Sequence, residues 1–363
     1  MQTRTDAPAI IVGGGLSGLC AAFRLQQLGI SYRLLEARDR LGGRILTTDD
    51  SHIDLGPSWF WPGQRQIAEL ISELGLQDGI YPQASDGLSV MEYADGTLQK
   101  SHGGASMAGS NRLEGGMQRL ITALADTLPA ERIKTSSQVR HIEQTRDGIT
   151  LRVEQAGEDI QLSGRLVILA LPPRVAANTI HFQPGLPSKD GQVLERIPTW
   201  MAAQCKIIAE YDAAFWLADG LSGDGFSQLG PLGEVHDASP RHGDTHALFG
   251  FVAVPPAQRQ GQDDALKQAA IEQLVRMFGE AASTPVAVHL QDWAFDGLTA
   301  TALDRSMQIP HGHARPTLSS EWNKRVLWAG TETAGLTDHS NGYLEGAVEA
   351  GNRAATLVAT LNP

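Results

Sequence analysis

Near its start the chain carries a short apolar run, Ala9-Ile10-Ile11-Val12, that passes directly into Gly13-x-Gly15-x-x-Gly18. A second run, Tyr32-Arg33-Leu34-Leu35, ends on Glu36. Glycines at this spacing, between a strand and a helix, restrict the fold sharply. Gly13 permits the tight turn out of the strand, Gly15 lets backbone approach a phosphate, and Gly18 lets the helix pack closely on the sheet. The helix start behind them offers unpaired N–H groups and partial positive charge, which suit a pyrophosphate. Glu36 follows Gly18 by eighteen residues, close to where a carboxylate accepts ribose hydroxyls. Strand, glycine loop, helix, strand and acid in this order predict a dinucleotide-binding α/β unit.

At 363 residues the chain can bury a large core, and two intertwined domains are expected rather than one. Its 29 basic and 41 acidic residues give a net charge of −12, which argues against nucleic acid or an anionic membrane as the main partner. No apolar run approaches the length of a membrane span. The polar residues 1–8 lead straight into the first strand, so no signal peptide is expected. Cys20 and Cys205 read as buried, reduced thiols of a cytoplasmic protein.

The spacing of Leu16, Leu19 and Phe23 predicts a first helix over 19–28, closed by Gly29. Between 37 and 47, Arg38, Arg40 and Arg44 surround Gly42-Gly43, a pattern that suits either a solvated loop or phosphate binding. A helix over 67–74, a hairpin over 87–99 turning at Asp95-Gly96, a polar glycine-rich loop over 102–111 and a helix over 116–128 follow. Strands are expected over 138–143, 149–154 and 165–170, the last stopped by Pro172-Pro173. From 174 to 296, strands over 203–211, 246–254 and 285–292 and a helix over 265–278 read as a second, α+β domain on an antiparallel sheet. A buried strand over 325–329 and a final helix over 344–361 complete the chain. The expected division is a Rossmann-like cofactor domain from 1–61, 112–173 and 297–363, with 62–111 and 174–296 forming the substrate domain.

A second constellation is Trp328-Ala329-Gly330-Thr331-Glu332-Thr333-Ala334, followed by Asn341-Gly342-Tyr343-Leu344-Glu345-Gly346-Ala347-Val348-Glu349-Ala350-Gly351. Small residues leave one helix face open to close approach. That serves tight packing, or a helix start whose dipole stabilises negative charge on a cofactor. Further matches are Leu35 to Arg44, Asp54-Leu55-Gly56, Gly115-Gly116-Met117 and Ala170-Leu171-Pro172-Pro173. Together these segments resemble the flavin-containing amine oxidase family, which includes monoamine and polyamine oxidases. They run from end to end in family order.

The resemblance implies a non-covalent FAD lying extended across the sheet. Gly15, Ser17 and Gly18 would meet the pyrophosphate, Glu36 the adenosine ribose, and Arg38 and Arg44 the phosphates. The Val139 backbone would touch the adenine, while Gly56, Pro57, Ser58 and Trp59 pass beside the isoalloxazine. Glu332 would sit near the ribityl chain and Leu344 at the pyrimidine edge, with Trp293 beside the flavin. Gly13, Leu16, Ala37, Gly43, Ala170, Gly330, Gly342 and Ala347 complete the implied cofactor contacts. The implied reaction removes a hydride from a carbon bearing nitrogen, delivers it to flavin N5, and leaves an imine for hydrolysis. Tyr343 matches one face of the family's aromatic cage, and Trp59 offers further aromatic surface. The expected catalytic set is Tyr343, Thr179 and Trp59.

The chain departs from the family pattern at several places. Thr179, just before Ile180-His181-Phe182, stands where the family carries a lysine that holds a water at the flavin. The second cage aromatic falls at Leu298-Thr299, and neither is aromatic or a cysteine, so no covalent flavin link is expected. Only about fifty residues separate Trp61 from Arg112, so the chain resembles a short monoamine oxidase-like form lacking the family's helical insertion. The flavin would then be more exposed, or covered by a protein partner or a dimer mate. His236, His242 and His246, and likewise His311 and His313, lack the acids or cysteines of a metal site, so no metal is expected. His339 and Glu345 flank the Tyr343 turn. The leading expectation is an amine-oxidising FAD enzyme. A carbon–carbon desaturase and a flavin-binding sensor or complex subunit with little turnover remain as alternatives.

Overall fold

The computed structural model describes residues 9–305, 322, 325–335 and 340–361. Five parallel strands form the first sheet, in the spatial order Val326–Trp328, Leu166–Leu169, Ala9–Val12, Tyr32–Leu35 and Ile133–Lys134. The order reverses between Ala9–Val12 and Leu166–Leu169. A crevice opens there beyond the carboxyl ends of the strands, the usual ligand position in such a sheet. Helix Leu16–Gln27 begins three residues earlier than its apolar spacing predicts, with Gly15 as its N-cap. Gly29 closes it at φ +68°, as expected.

The final helix runs Leu344–Leu361, and its small face lies against helix Leu16–Gln27. A Cβ at Gly351 would collide with the Ser17 carbonyl oxygen, and one at Gly346 with that of Ser340. These glycines therefore serve packing.

A seven-stranded sheet runs Ala287–Asp292, Cys205–Tyr211, His246–Val252, Leu232–Asp237, Leu221–Ser227, Leu88–Glu92 and Leu98–Ser101. Its pairs are antiparallel except Leu221–Ser227 with Leu88–Glu92, which is parallel, so the sheet is mixed. Alternation divides its two faces. Ile207, Ala209, Val235 and Leu248 pack with helix Asp263–Phe278, while Ile208 and Phe249 turn to Ile53, Leu55 and Trp59. The two central strands missing from the sequence reading carry Gly223, Gly225 and Gly233, which interrupt the strand pattern. Gly225 lies under the helix, where a Cβ would stand 2.5 Å from Met277 Cε.

A third sheet orders Glu158–Gly164, Ile149–Gln155, Ser137–Gln144 and His181–Gln183. Pro173 begins the short helix Pro173–Thr179 rather than merely stopping a strand, as its fixed φ and missing N–H allow at a first turn. Among the described residues no helix is long and apolar enough to cross a membrane.

Candidate cofactor and substrate cleft

A single cleft of about 530 Å³ runs from the glycine loop to the polar face of the seven-stranded sheet. At the sheet end of the fold, Gly13 turns at φ +109°, and a Cβ there would stand 2.5 Å from the Ala170 carbonyl oxygen. Gly15 differs. A Cβ on it would meet only ordinary contact, at 3.7 Å from Gly42 O, so its backbone lines the cleft without being crowded. Gly18 does not line the cleft. Its Cα abuts the Gly13 carbonyl, which fixes the helix start behind the loop. Ser17 lines the cleft and its hydroxyl donates to the Ala329 carbonyl, tying the loop to the C-terminal strand.

Glu36 is 4% exposed and lines the cleft. Its Oε2 accepts from the Gly14 amide at 2.6 Å and its Oε1 from the Arg38 amide at 2.8 Å, which fixes the carboxylate plane and leaves lone pairs for a ligand hydroxyl. Arg38 Nη2 holds both Asp296 oxygens at 2.8 Å and Thr299 Oγ1 at 3.2 Å. Thr299, where the resemblance places a cage aromatic, thus anchors Arg38 instead. Arg44 pairs with Glu332 at 2.6 Å. Glu332 is only 2% exposed, is not itself a lining residue, and its Oε2 has no partner among the described residues.

The other residues expected to contact a cofactor line the same cleft. Leu16, Ala37, Gly43, Val139, Ala170 and Gly330 line the half beside the glycine loop. Gly56, Pro57, Ser58, Trp59, Trp293, Gly342, Tyr343, Leu344 and Ala347 line the rest. Trp293 donates from Nε1 to the Leu55 carbonyl at 3.2 Å. A Cβ on Gly342 would stand 2.6 Å from Trp200 Cβ, so Trp200, unmarked in the sequence, packs directly on the turn before Tyr343.

The three expected catalytic residues all line this cleft. Tyr343 meets Trp61 edge to face, with ring centroids 6.2 Å apart and planes at 88°. Thr179 is the last residue of its short helix, and its hydroxyl donates to the Val175 carbonyl at 2.7 Å. Trp59 donates from Nε1 to Gln83 Oε1 at 2.8 Å and packs on His236, Phe249 and Phe251. Glu345 caps another helix rather than its own. Its carboxylate accepts from the Gln66 and Ile67 amides at 3.1 and 2.9 Å, at the start of Arg65–Glu73.

Two charged residues in the cleft were not anticipated from the sequence. Lys206 Nζ donates to the carbonyls of Asp54 at 2.6 Å and Gly56 at 3.2 Å and to Ser58 Oγ at 2.8 Å, and lies 3.9 Å from the Phe249 ring centre. Burial pushes this ammonium below the ordinary lysine range and the Asp54 carboxyl above its own. The available signal was a charge inside the buried strand Cys205–Tyr211, which also carries Glu210. Glu234 is the second, two residues before His236, which bridges Glu234 and Asp224. His242 is exposed and stands outside this bridge, while His311, His313 and His339 lie outside the described residues. No group of three or more His, Cys, Asp or Glu among the described residues is placed to hold a metal ion.

The parallel sheet, the glycine cradle and the acid at its far end define a dinucleotide-binding α/β fold carrying a second sheet over the ligand crevice. The flavin containing amine oxidoreductase family matches residues 16–100 and 88–359, and the chain belongs to it. It is 24% identical to a probable flavin-containing monoamine oxidase A of Dictyostelium discoideum, across 97% of each chain. Against flavin-containing amine oxidase B of Homo sapiens identity is 25%, over 98% of this chain and 86% of that one. Among solved structures, a putrescine oxidase bound to putrescine superposes with a TM-score of 0.80 at 22% identity, covering 98% of this chain and 99% of that one. A cyclohexylamine oxidase from Brevibacterium oxydans IH-35A superposes equally, with a TM-score of 0.80 at 21% identity and the same coverage.

Proposed function

We propose that the protein is an FAD-dependent oxidoreductase that removes a hydride from the carbon beside the nitrogen of an amine. One observation carries this reading. The open cradle at Gly15, with the tethered Glu36 carboxylate, is continuous with a recess walled by Trp59, Trp61 and Tyr343. The buried, half-satisfied carboxylate of Glu332 also fits a bound group, because an orphaned acceptor that deep calls for a hydroxyl donor.

In this reading Gly15 and Ser17 hold the pyrophosphate, Glu36 the ribose, and Arg38 and Arg44 the phosphate flank. Glu332, paired with Arg44 behind the cleft wall, lies near the ribityl chain, and the backbone at Leu344 meets the pyrimidine edge. When bound, the flavin supplies the two-electron redox chemistry at its N5. The protein's own part is to orient and desolvate. The Trp61 and Tyr343 rings hold a neutral amine against the cofactor edge and exclude water. Thr179 lines the cleft and brings no charge to it, whereas Lys206 lines it with a cation.

Neither Cys20 nor Cys205 lines the cleft, and no thiol stands at 298 or 299, which supports non-covalent binding. The two free, buried thiols also support a cytoplasmic setting. We assign 1–61, 112–173 and 297–363 to cofactor binding and 62–111 with 174–296 to the substrate side. The chain is a short form of the family. Its alignment with the Dictyostelium relative runs over 465 positions, although this chain has 363 residues. A short form would roof the cleft less, which leaves room for a partner or a dimer mate.

Product analysis tests the reading. Flavin-loaded protein given an amine and a dye acceptor should release the corresponding carbonyl compound in step with dye reduction. An alkene product would instead mark carbon–carbon desaturation.

A further inference from the structure

Asp224, His236 and Glu234 form a chain of charges across the cleft-facing side of the seven-stranded sheet. His236 Nδ1 lies 2.7 Å from Asp224 Oδ1 and its Nε2 lies 2.9 Å from Glu234 Oε1. Ionised carboxylates only accept hydrogen bonds, so both ring nitrogens must donate and the ring carries a proton on each. One imidazolium between two carboxylates leaves one net negative charge. His236 is 0% exposed and Asp224 1%, so neither presents that charge to the cleft. Glu234 does, being a lining residue with 27% of its side chain exposed.

One Glu234 oxygen, Oε1, is taken by His236 and by the Ser106 hydroxyl. The other, Oε2, has no hydrogen-bond partner among the described residues. Glu234 stands opposite Phe251 on the paired strand and Trp59 packs on His236, so its surroundings offer little polar compensation. The nearby cation, Lys206, has its three donors on the 54–58 segment, and no ion pair joins it to Glu234 among the described residues. The His236 imidazolium balances only one of the two carboxylates it bridges, so the array keeps a net negative charge and Glu234 Oε2 is left for a cationic donor.

We propose that the Asp224–His236–Glu234 array is a subsite for a second cationic group of the substrate. This rests on the amine reading above and narrows it to amines that carry a further ammonium or guanidinium group. One nitrogen lies against the wall formed by Trp61 and Tyr343 while the distal cation donates to Glu234 Oε2. Asp224 and His236 are positioning residues, because they act only through Glu234.

The test compares α,ω-diaminoalkanes with 1-aminoalkanes of equal length on flavin-loaded protein. Binding is read by calorimetry and turnover by dye reduction. The diamines should bind about ten- to a hundred-fold more tightly, the value of one charge-assisted hydrogen bond. Glu234→Gln should collapse that gap, and His236→Gln should narrow it. Equal affinity for the two series in the unaltered protein would overturn the proposal. So would a Glu234→Gln variant, shown to be folded by its flavin content, that keeps the gap. If diamines bind preferentially but neither series is oxidised, the subsite stands and the amine-oxidation reading fails.

Discussion

Arg38 and Asp296 are 258 residues apart in the chain, yet two hydrogen bonds of 2.8 Å join them at the rim of the nucleotide cleft. The same arginine gives its backbone N–H to Glu36 at 2.8 Å, so one residue ties this buried carboxylate to the loop that follows Trp293. Asp296→Asn removes the charge from this anchor. The loss of one charge-assisted interaction predicts about 1.5–3 kcal/mol of stability and a matching fall in FAD affinity. Denaturant unfolding and FAD titration read the two effects. Unchanged values in both would show that Arg38 is placed by other contacts.

Gly351→Ala sets two effects against each other. Alanine favours the helix by about 1 kcal/mol over glycine. Its methyl group, however, would run into the Ser17 carbonyl oxygen, a backbone atom at the start of the glycine-loop helix. Overpacking of this kind costs about 1–3 kcal/mol, so the variant should be destabilised and should hold flavin less tightly. A variant more stable than the parent would mean that the two helices part easily.

Lys206→Met would leave the Asp54 and Gly56 carbonyls and the Ser58 hydroxyl without their shared donor. Each buried group so orphaned costs about 1–3 kcal/mol, which exceeds the relief of removing a desolvated ammonium. The variant should lower Tm and loosen the 54–58 segment, which amide hydrogen exchange would reveal. Unaltered exchange there would argue against Lys206 as the tie.

The His236 array predicts a particular dependence on pH. Burial opposes a charge on His236, but the bonds to Asp224 and Glu234 outweigh it and raise its pKa above the ordinary 6.5. Burial pushes Glu234 up, while the bonds from His236 and Ser106 pull it below the ordinary 4.5 overall. The raised base stabilises the fold fully below its unfolded value, and that contribution fades as pH rises through the folded one. The lowered acid stabilises above its unfolded value, and its contribution fades as pH falls through the folded one. Both act in full between 4.5 and 6.5. The Tm difference between the parent and His236→Gln should therefore be widest in that window and shrink on either side. A difference that stays flat across pH would contradict this.

The glycine-loop half of the cleft was legible in the sequence as structure because its requirements are local. Gly13, Gly15 and Gly18 act within one turn, and Glu36 ends the next strand. The substrate half is assembled by pairing distant strands, and no local pattern records that pairing. Glu234 and His236 share a face because they are two apart on one strand, but Asp224 joins them only because Leu221–Ser227 pairs with Leu232–Asp237, in segments whose glycines hide the strands. Lys206 was visible as a charge in an apolar run, but its acceptors at 54–58 are set by tertiary packing. Thr299 could be read as a missing aromatic, yet its bond from Arg38 has no sequence signature.

The most direct test of the central claim is the visible absorbance spectrum of the flavin-loaded protein, held anaerobically while amines are added. The account predicts that an amine bleaches the flavin band, and that the band returns when an electron acceptor is admitted. A protein that takes up no flavin, or a flavin band that no mono- or diamine bleaches, would contradict it.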